Sequence, residues 1–114
     1  MELAYVSGKY RGSSPSEIYN NITKARDVGI KLWKLGYCAI VPHLNTQFMD
    51  GIVPDNDFLE GDIEILSRCD FIVIMEGWQE SKGAKEEVKY AKENQIPIYK
   101  FVKGDKLSPV IIMD

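Results

Sequence analysis

One histidine, two cysteines and no excess of positive charge leave this 114-residue sequence little with which to build the commonest cofactor sites. A lone His43 cannot found a metal cluster, and no Cys, Asp or Glu around it has ligand spacing. Cys38 and Cys69 stand in apolar surroundings without metal-type spacing, which predicts buried, reduced thiols in a cytosolic protein. The net charge of -3 provides no basic footprint for a nucleic acid, although a local positive pocket for a small anion is still compatible with it. No apolar run approaches the roughly 20 residues of a membrane span. The opening "MELAYVSGKYRG" is too short and, after Ser7, too polar for a signal peptide, so a cytoplasmic protein off the membrane is expected. The glycines fit neither the GxGxxG dinucleotide fingerprint nor a P-loop, which disfavours an NAD enzyme or an NTPase. No organic cofactor is implied.

What is present is an ordinary globular composition, 45% hydrophobic and 27% charged, with no repeat, linker or low-complexity tract. One domain over residues 1–114 follows. Short apolar runs alternate with helical patterns. "LAYVS" (3–7) reads as a strand. A helix follows with Ser14 as N-cap, Pro15 in its first position, Glu17 completing a capping box, an apolar stripe through Ile18, Ile22, Ala25, Gly29 and Leu32, and Gly36 as its stop. "YCAIVP" is a second strand. "HLNTQFMDGIVPDN" is a loop of about 14 residues, longer than structure alone usually requires and therefore a functional candidate. A helix "DFLEGDIEILSRC", a strand "DFIVIMEG", a helix from about Lys82 to Asn94 and a strand "IPIYKFV" come next, and the tail "LSPVIIMD" offers a fifth strand. This order predicts an α/β fold: a doubly wound, flavodoxin- or Rossmann-like sandwich with a four- or five-stranded parallel sheet between helices. Ligands of such folds bind at the carboxyl ends of the strands, here "SGKYRGSS", "PHLN", "EGWQESKGA" and "VKGDKLSP".

Helical phase separates the acidic residues at those ends. At roughly 100° per residue, Ala84, Val88 and Ala91 define a buried line; Glu87 falls about 60° from it and Glu86 about 170° away. Glu86 is a solvent charge. Glu87 lies at the edge of the buried face, either as a carboxylate favoured by the helix dipole or as a chemical group. Asp62 falls inside the apolar arc of Leu59, Ile63 and Leu66, where a carboxylate needs a partner or a role. In "SGKYRGSS", Gly8 and Gly12 permit close backbone approach while Lys9, Arg11, Ser13 and Ser14 supply charge and donors, as a phosphate cradle or as a polar β-α turn. His43 contacts a substrate or satisfies a loop carbonyl. Ser81 reads as an N-cap, and Trp78 as a ligand wall or a hydrophobic anchor.

Taken together, "YVSGKYRG", "EGDIEILSRCDFIVI" and "SKGAKEEVKYA" resemble the nucleoside 2-deoxyribosyltransferase superfamily, and within it the 2'-deoxynucleoside 5'-phosphate N-hydrolases and small phage and bacterial relatives. The resemblance runs from Tyr5 to about Ile111. Its S-x-G-x-x-x-E-x-x-x-A pattern falls on Ser81, Gly83, Glu87 and Ala91, implying that Glu87 is a nucleophile. It implies catalytic roles for Asp62 and Tyr5 and a structural one for Asp70. Phosphate binding is implied for the loop Gly8, Lys9, Arg11, Gly12 and Ser13, helped by Ser81 and Gly83. Ser7, His43 and Trp78 become base- or sugar-binding candidates. The tail resembles a segment whose serine, here Ser108, reaches the phosphate of a neighbouring subunit, implying a homodimer or higher homo-oligomer. Lys89 stands where the family pattern has a glycine, and Lys9 and Tyr10 replace smaller residues. The expectation is cleavage of the base–sugar bond of a nucleoside 5'-monophosphate. A deoxyribosyltransferase and a non-catalytic nucleotide-binding protein are the alternatives.

Overall fold

The computed structural model describes residues 1–113. Strand β1 (Leu3–Ser7) leads to helix α1 (Pro15–Lys34), strand β2 (Cys38–Ile40), a single helical turn α2 (Pro42–Asn45) and helix α3 (Asp55–Leu66). Strand β3 (Phe71–Ile74), a 3₁₀ turn (Trp78–Glu80), helix α4 (Lys82–Glu93) and strands β4 (Ile98–Val102) and β5 (Lys106–Pro109) complete the chain. The sheet order is β2-β1-β3-β4-β5. Strands β1 to β4 are parallel. This is the expected α/β, Rossmann-like architecture, with the strand order of the flavodoxin type and its switch point between β1 and β3.

The fifth strand departs from a wholly parallel sheet, because β5 runs antiparallel to β4. Residues 103–105 are all that link them, far fewer than the dozen or so that a parallel crossover needs. Gly104 (φ 88°) and Asp105 (φ 55°) turn the chain back there.

Alternation along the strands divides the core into two layers. Ala4, Val6, Phe71 and Val73 face α1, where they meet Ala25 and Leu32. Tyr5, Ile72 and Ile74 face the other side, against Leu66, Val88 and Ala91 of α3 and α4. Ile22, Ala25, Gly29 and Leu32 of the expected α1 stripe are buried, with Ile18 half-buried at its end. Burying a leucine such as Leu32 or Leu66 completely contributes about 1.5–3 kcal/mol. The same alternation places Tyr5 and Ser7 together on the α4 side of β1, which decides where the chemistry can sit.

Cys38 and Cys69 are free but half-buried rather than buried, Cys69 at the edge of the layer under α3 and α4. Burial still pushes the Cys69 thiol up to about 11. Among the described residues no helix is long and apolar enough to cross a membrane.

Candidate active site

Ser81 starts α4, its side chain accepting the Ala84 amide at 3.1 Å as the N-cap reading expects. Six residues on, Glu87 is 7% exposed while Glu86 is in solvent. Both Glu87 oxygens are held from β1: the Tyr5 hydroxyl donates to Oε2 and the Ser7 hydroxyl to Oε1, each at 2.7 Å. Burial pushes the Glu87 carboxyl up to about 7; the two hydroxyls oppose that shift and the nearby Asp62 charge adds to it. The Tyr5 phenol is driven far above its ordinary value, by burial first and then by the Glu87 charge, and therefore acts as a donor throughout.

Glu87 forms part of the wall of a cavity of about 490 Å³. Asp62, half-buried on α3, faces the same cavity; burial alone raises its carboxyl to about 6, and it takes part in no hydrogen bond or ion pair among the described residues. Phe58 and Leu59 supply an apolar wall beside it. Gly8, Lys9, Tyr10 and Arg11 of the loop after β1, and His43, also line the cavity. The cavity thus opens at the carboxyl end of β1, beside the switch point, where the fold predicts it.

Charge around this wall is uneven. Asp50, Asp55, Asp62, Glu80 and Glu87 face only Lys9, Arg11 and Lys82. Raised proton affinity at Glu87 and Asp62 relieves that excess, and the positive charge stays at the mouth. There Arg11 meets Asp55 at 2.6 Å, and Lys9 meets Glu17 at 3.5 Å. His43 is 6% exposed; its Nε2 lies 3.1 Å from the Lys9 carbonyl while Nδ1 has no hydrogen-bond partner. Burial lowers its proton affinity, so the imidazole is neutral.

Of the residues singled out in the sequence, Gly8, Lys9, Arg11, His43, Asp62, Ser81, Gly83 and Glu87 line the cavity together. Tyr5 and Ser7 lie behind Glu87 and hold it, so Ser7 positions a carboxylate where a base or sugar contact was expected. Trp78 takes the anchor alternative: it packs on the core layer of Tyr5, Ile72 and Val88 and is not part of the cavity wall. Gly12 and Ser13 sit outside the wall, with Ser13 bonded to Glu17. Ser108 lies on β5, the edge strand beyond β4, away from the cavity of its own chain. Asp70 accepts the Leu3 amide at 2.7 Å and fixes the start of β1, the structural role expected of it.

Nothing in the sequence singles out Asp50 or Asp55, and Tyr10 stands out only as a departure from the family pattern. Tyr10 donates to Asp50 at 3.0 Å, tying the long loop to the loop after β1. The length of "HLNTQFMDGIVPDN" was the signal that pointed to that segment, but nothing in its composition marked which acid would turn inward.

Residues 2–100 match the family model described as a domain of unknown function, DUF4406, and the chain belongs to that family. No curated protein matches the chain.

Proposed function

We propose that this member of the DUF4406 family is an N-glycosidase that cleaves the base–sugar bond of (2'-deoxy)nucleoside 5'-monophosphates. The observation that carries the reading is Glu87, a buried carboxylate with both oxygens fixed at 2.7 Å by Tyr5 and Ser7, sharing a cavity with a second protonatable carboxyl, Asp62. Two carboxyl groups on one cavity are the minimum that double-displacement glycoside chemistry requires. The likeness of "SKGAKEEVKYA" to deoxyribosyltransferase-type sequences supports Glu87 as the nucleophile.

In the first step a Glu87 oxygen bonds to C1' as the C1'–N bond breaks, and the electron pair leaves with the base. Asp62 supplies the proton the departing nitrogen takes. Positive charge develops on the sugar in an oxocarbenium-like transition state, and the buried Glu87 carboxylate stabilises it more than a solvated one would. In the second step water attacks C1', Asp62 accepts its proton, and Glu87 departs with the C–O bond electrons. Free base and sugar 5-phosphate are the products, and no metal or organic cofactor enters. Tyr5 and Ser7 act as positioning residues: their donors favour the ionised form of Glu87 and fix its orientation. Lys9 and Arg11 at the mouth hold the phosphate, binding energy gained away from the reacting carbon. The reading includes a cytoplasmic homodimer or higher homo-oligomer, supported by the likeness of the tail around Ser108.

The test is incubation with a panel of deoxy- and ribonucleoside monophosphates, following free base by chromatography. Base release is expected from wild type and from Glu86→Ala. Binding without base release would sink the proposal in favour of a nucleotide-binding protein. A new nucleoside formed on adding a second free base would reassign the chain as a transferase.

A further inference from the structure

Building on the phosphate-loop reading above, we infer that Glu17 is an internal anion occupying the donors of that loop, and that a bound phosphate must displace it. The Glu17 carboxylate accepts from the Ser13 hydroxyl at 2.8 Å and from the Ser13 amide at 3.2 Å, and its other oxygen lies 3.5 Å from Lys9 Nζ. Lys9 lines the cavity while Ser13 lies outside its wall; a phosphate held on "GKYRGS" that reaches past Lys9 would take these same donors. Gly12 makes the arrangement possible, because a Cβ there would stand 2.7–2.9 Å from the Glu17 side-chain carbons.

Helix capping does not account for this contact. Ser14 caps α1 by accepting the Glu17 amide at 3.2 Å. A capping box would return the Glu17 carboxylate to the Ser14 amide. Instead it reaches one residue further, to Ser13, and adds a cation. Asp55 neutralises Arg11 in the same way, so both cations of the loop already carry a carboxylate.

Exchange then depends on charge. A monoanion brings the loop no more charge than Glu17 already supplies, so displacement gains little. A phosphate monoester dianion brings twice as much. Glu17 therefore sets the selectivity of the mouth for dianionic phosphate esters over singly charged or neutral sugars, at the expense of absolute affinity.

Titration of wild type and Glu17→Gln with 2-deoxyribose 5-phosphate, and with unphosphorylated 2-deoxyribose, tests the inference. Glutamine keeps an acceptor for Ser13 but no charge. Removing one charge near a dianion, partly screened by salt, is expected to tighten the phosphate about tenfold and to leave the neutral sugar unchanged. Equal or weaker phosphate binding by Glu17→Gln would overturn it. Independent of any variant, the Glu17 carboxyl carbon signal of wild type should move on adding 2-deoxyribose 5-phosphate; a stationary signal under saturation would also overturn it. Base release separates the two proposals. Tightened phosphate with no base release leaves Glu17 in its role and removes the glycosidase; base release with unchanged phosphate affinity does the reverse.

Discussion

The floor and the mouth of the cavity are built on opposite principles. At the floor, Glu87, Tyr5 and Ser7 are each at most 7% exposed, and two hydrogen bonds fix one carboxylate from a strand that is itself buried. At the mouth, the Arg11 and Asp55 side chains are 60% and 72% exposed and held mainly by charge. Both contain a short contact between a carboxylate and its donor. The floor contacts are buried and the Arg11–Asp55 pair is not, so the floor contacts are worth more to stability. A short distance by itself says little; burial decides what it is worth.

The sharpest way to break this contrast is to remove the floor carboxylate. Glu87→Ala should lower base release by about a thousandfold or more in a single-turnover assay, while Glu86→Ala, one residue away in solvent, should match wild type. Equal losses in the two variants would mean that burial does not select the reacting group.

The next effect is on stability, and its sign is opposite. In the unfolded chain Glu87 releases its proton near 4.5, whereas the folded protein holds it to about 7. Folding therefore gains proton affinity at this site. That contribution is intact below about pH 4.5 and is lost as pH rises through about 7. At 1.36 kcal/mol per pH unit the penalty at pH 8 is about 3 kcal/mol. Glutamine cannot ionise, so Glu87→Gln should be about 3 kcal/mol more stable than wild type at pH 8 and close to it at pH 4.5, by urea unfolding. A gain independent of pH would show that the carboxylate is not held away from water.

The floor was legible in the sequence, and so were the cations of the mouth, Lys9 and Arg11; the acids that face them were not. Strand alternation and helical phase are local and periodic, so the arc of Ala84, Val88 and Ala91 was enough to turn Glu87 inward and Glu86 outward. The arc of Leu59, Ile63 and Leu66 did the same for Asp62. The antiparallel turn of β5 depended on the length of a three-residue link rather than on any pattern in "LSPVIIMD". Asp50 lies in a segment with no period and Asp55 at the first position of α3, and their partners Tyr10 and Arg11 are about 40 residues away in sequence. Trp78 offered two environments and the sequence could not choose between them; packing on the core layer beneath α3 and α4 did.

A smaller effect comes from loosening the floor without emptying it. The productive form has Glu87 ionised and Asp62 protonated, although Glu87, at about 7, is the weaker acid of the two and Asp62 lies at about 6. Rate should therefore follow a narrow bell with its maximum about midway between those values. Tyr5→Phe removes a donor to the ionised form, an interaction of about 1.5–3 kcal/mol, so Glu87 rises further. Base release should fall at least about tenfold at pH 6.5, and the optimum should move to higher pH. A uniform loss with an unmoved optimum would make Tyr5 a packing residue only.

The smallest effect is expected at the mouth, where Asp55→Asn removes the partner of Arg11. At 2.6 Å this is the shortest ion pair in the described structure, and a reading by distance alone would rank it above the Glu87 contacts. Exposed pairs contribute about 0–1 kcal/mol, because water and salt already satisfy both charges. Asp55 also opens α3, where the helix dipole favours a negative charge by a few tenths of a kcal/mol. The variant should lose less than about 1 kcal/mol, a Tm change of about 4–8 °C at most, shrinking further as salt is raised. With Arg11 released, KM for a nucleoside monophosphate should fall severalfold while kcat stays near wild type, since Asp55 touches neither Glu87 nor its two donors. A loss as large as that from Tyr5→Phe would erase the distinction between floor and mouth, and a salt-independent loss would show that the pair is shielded from water despite its exposure.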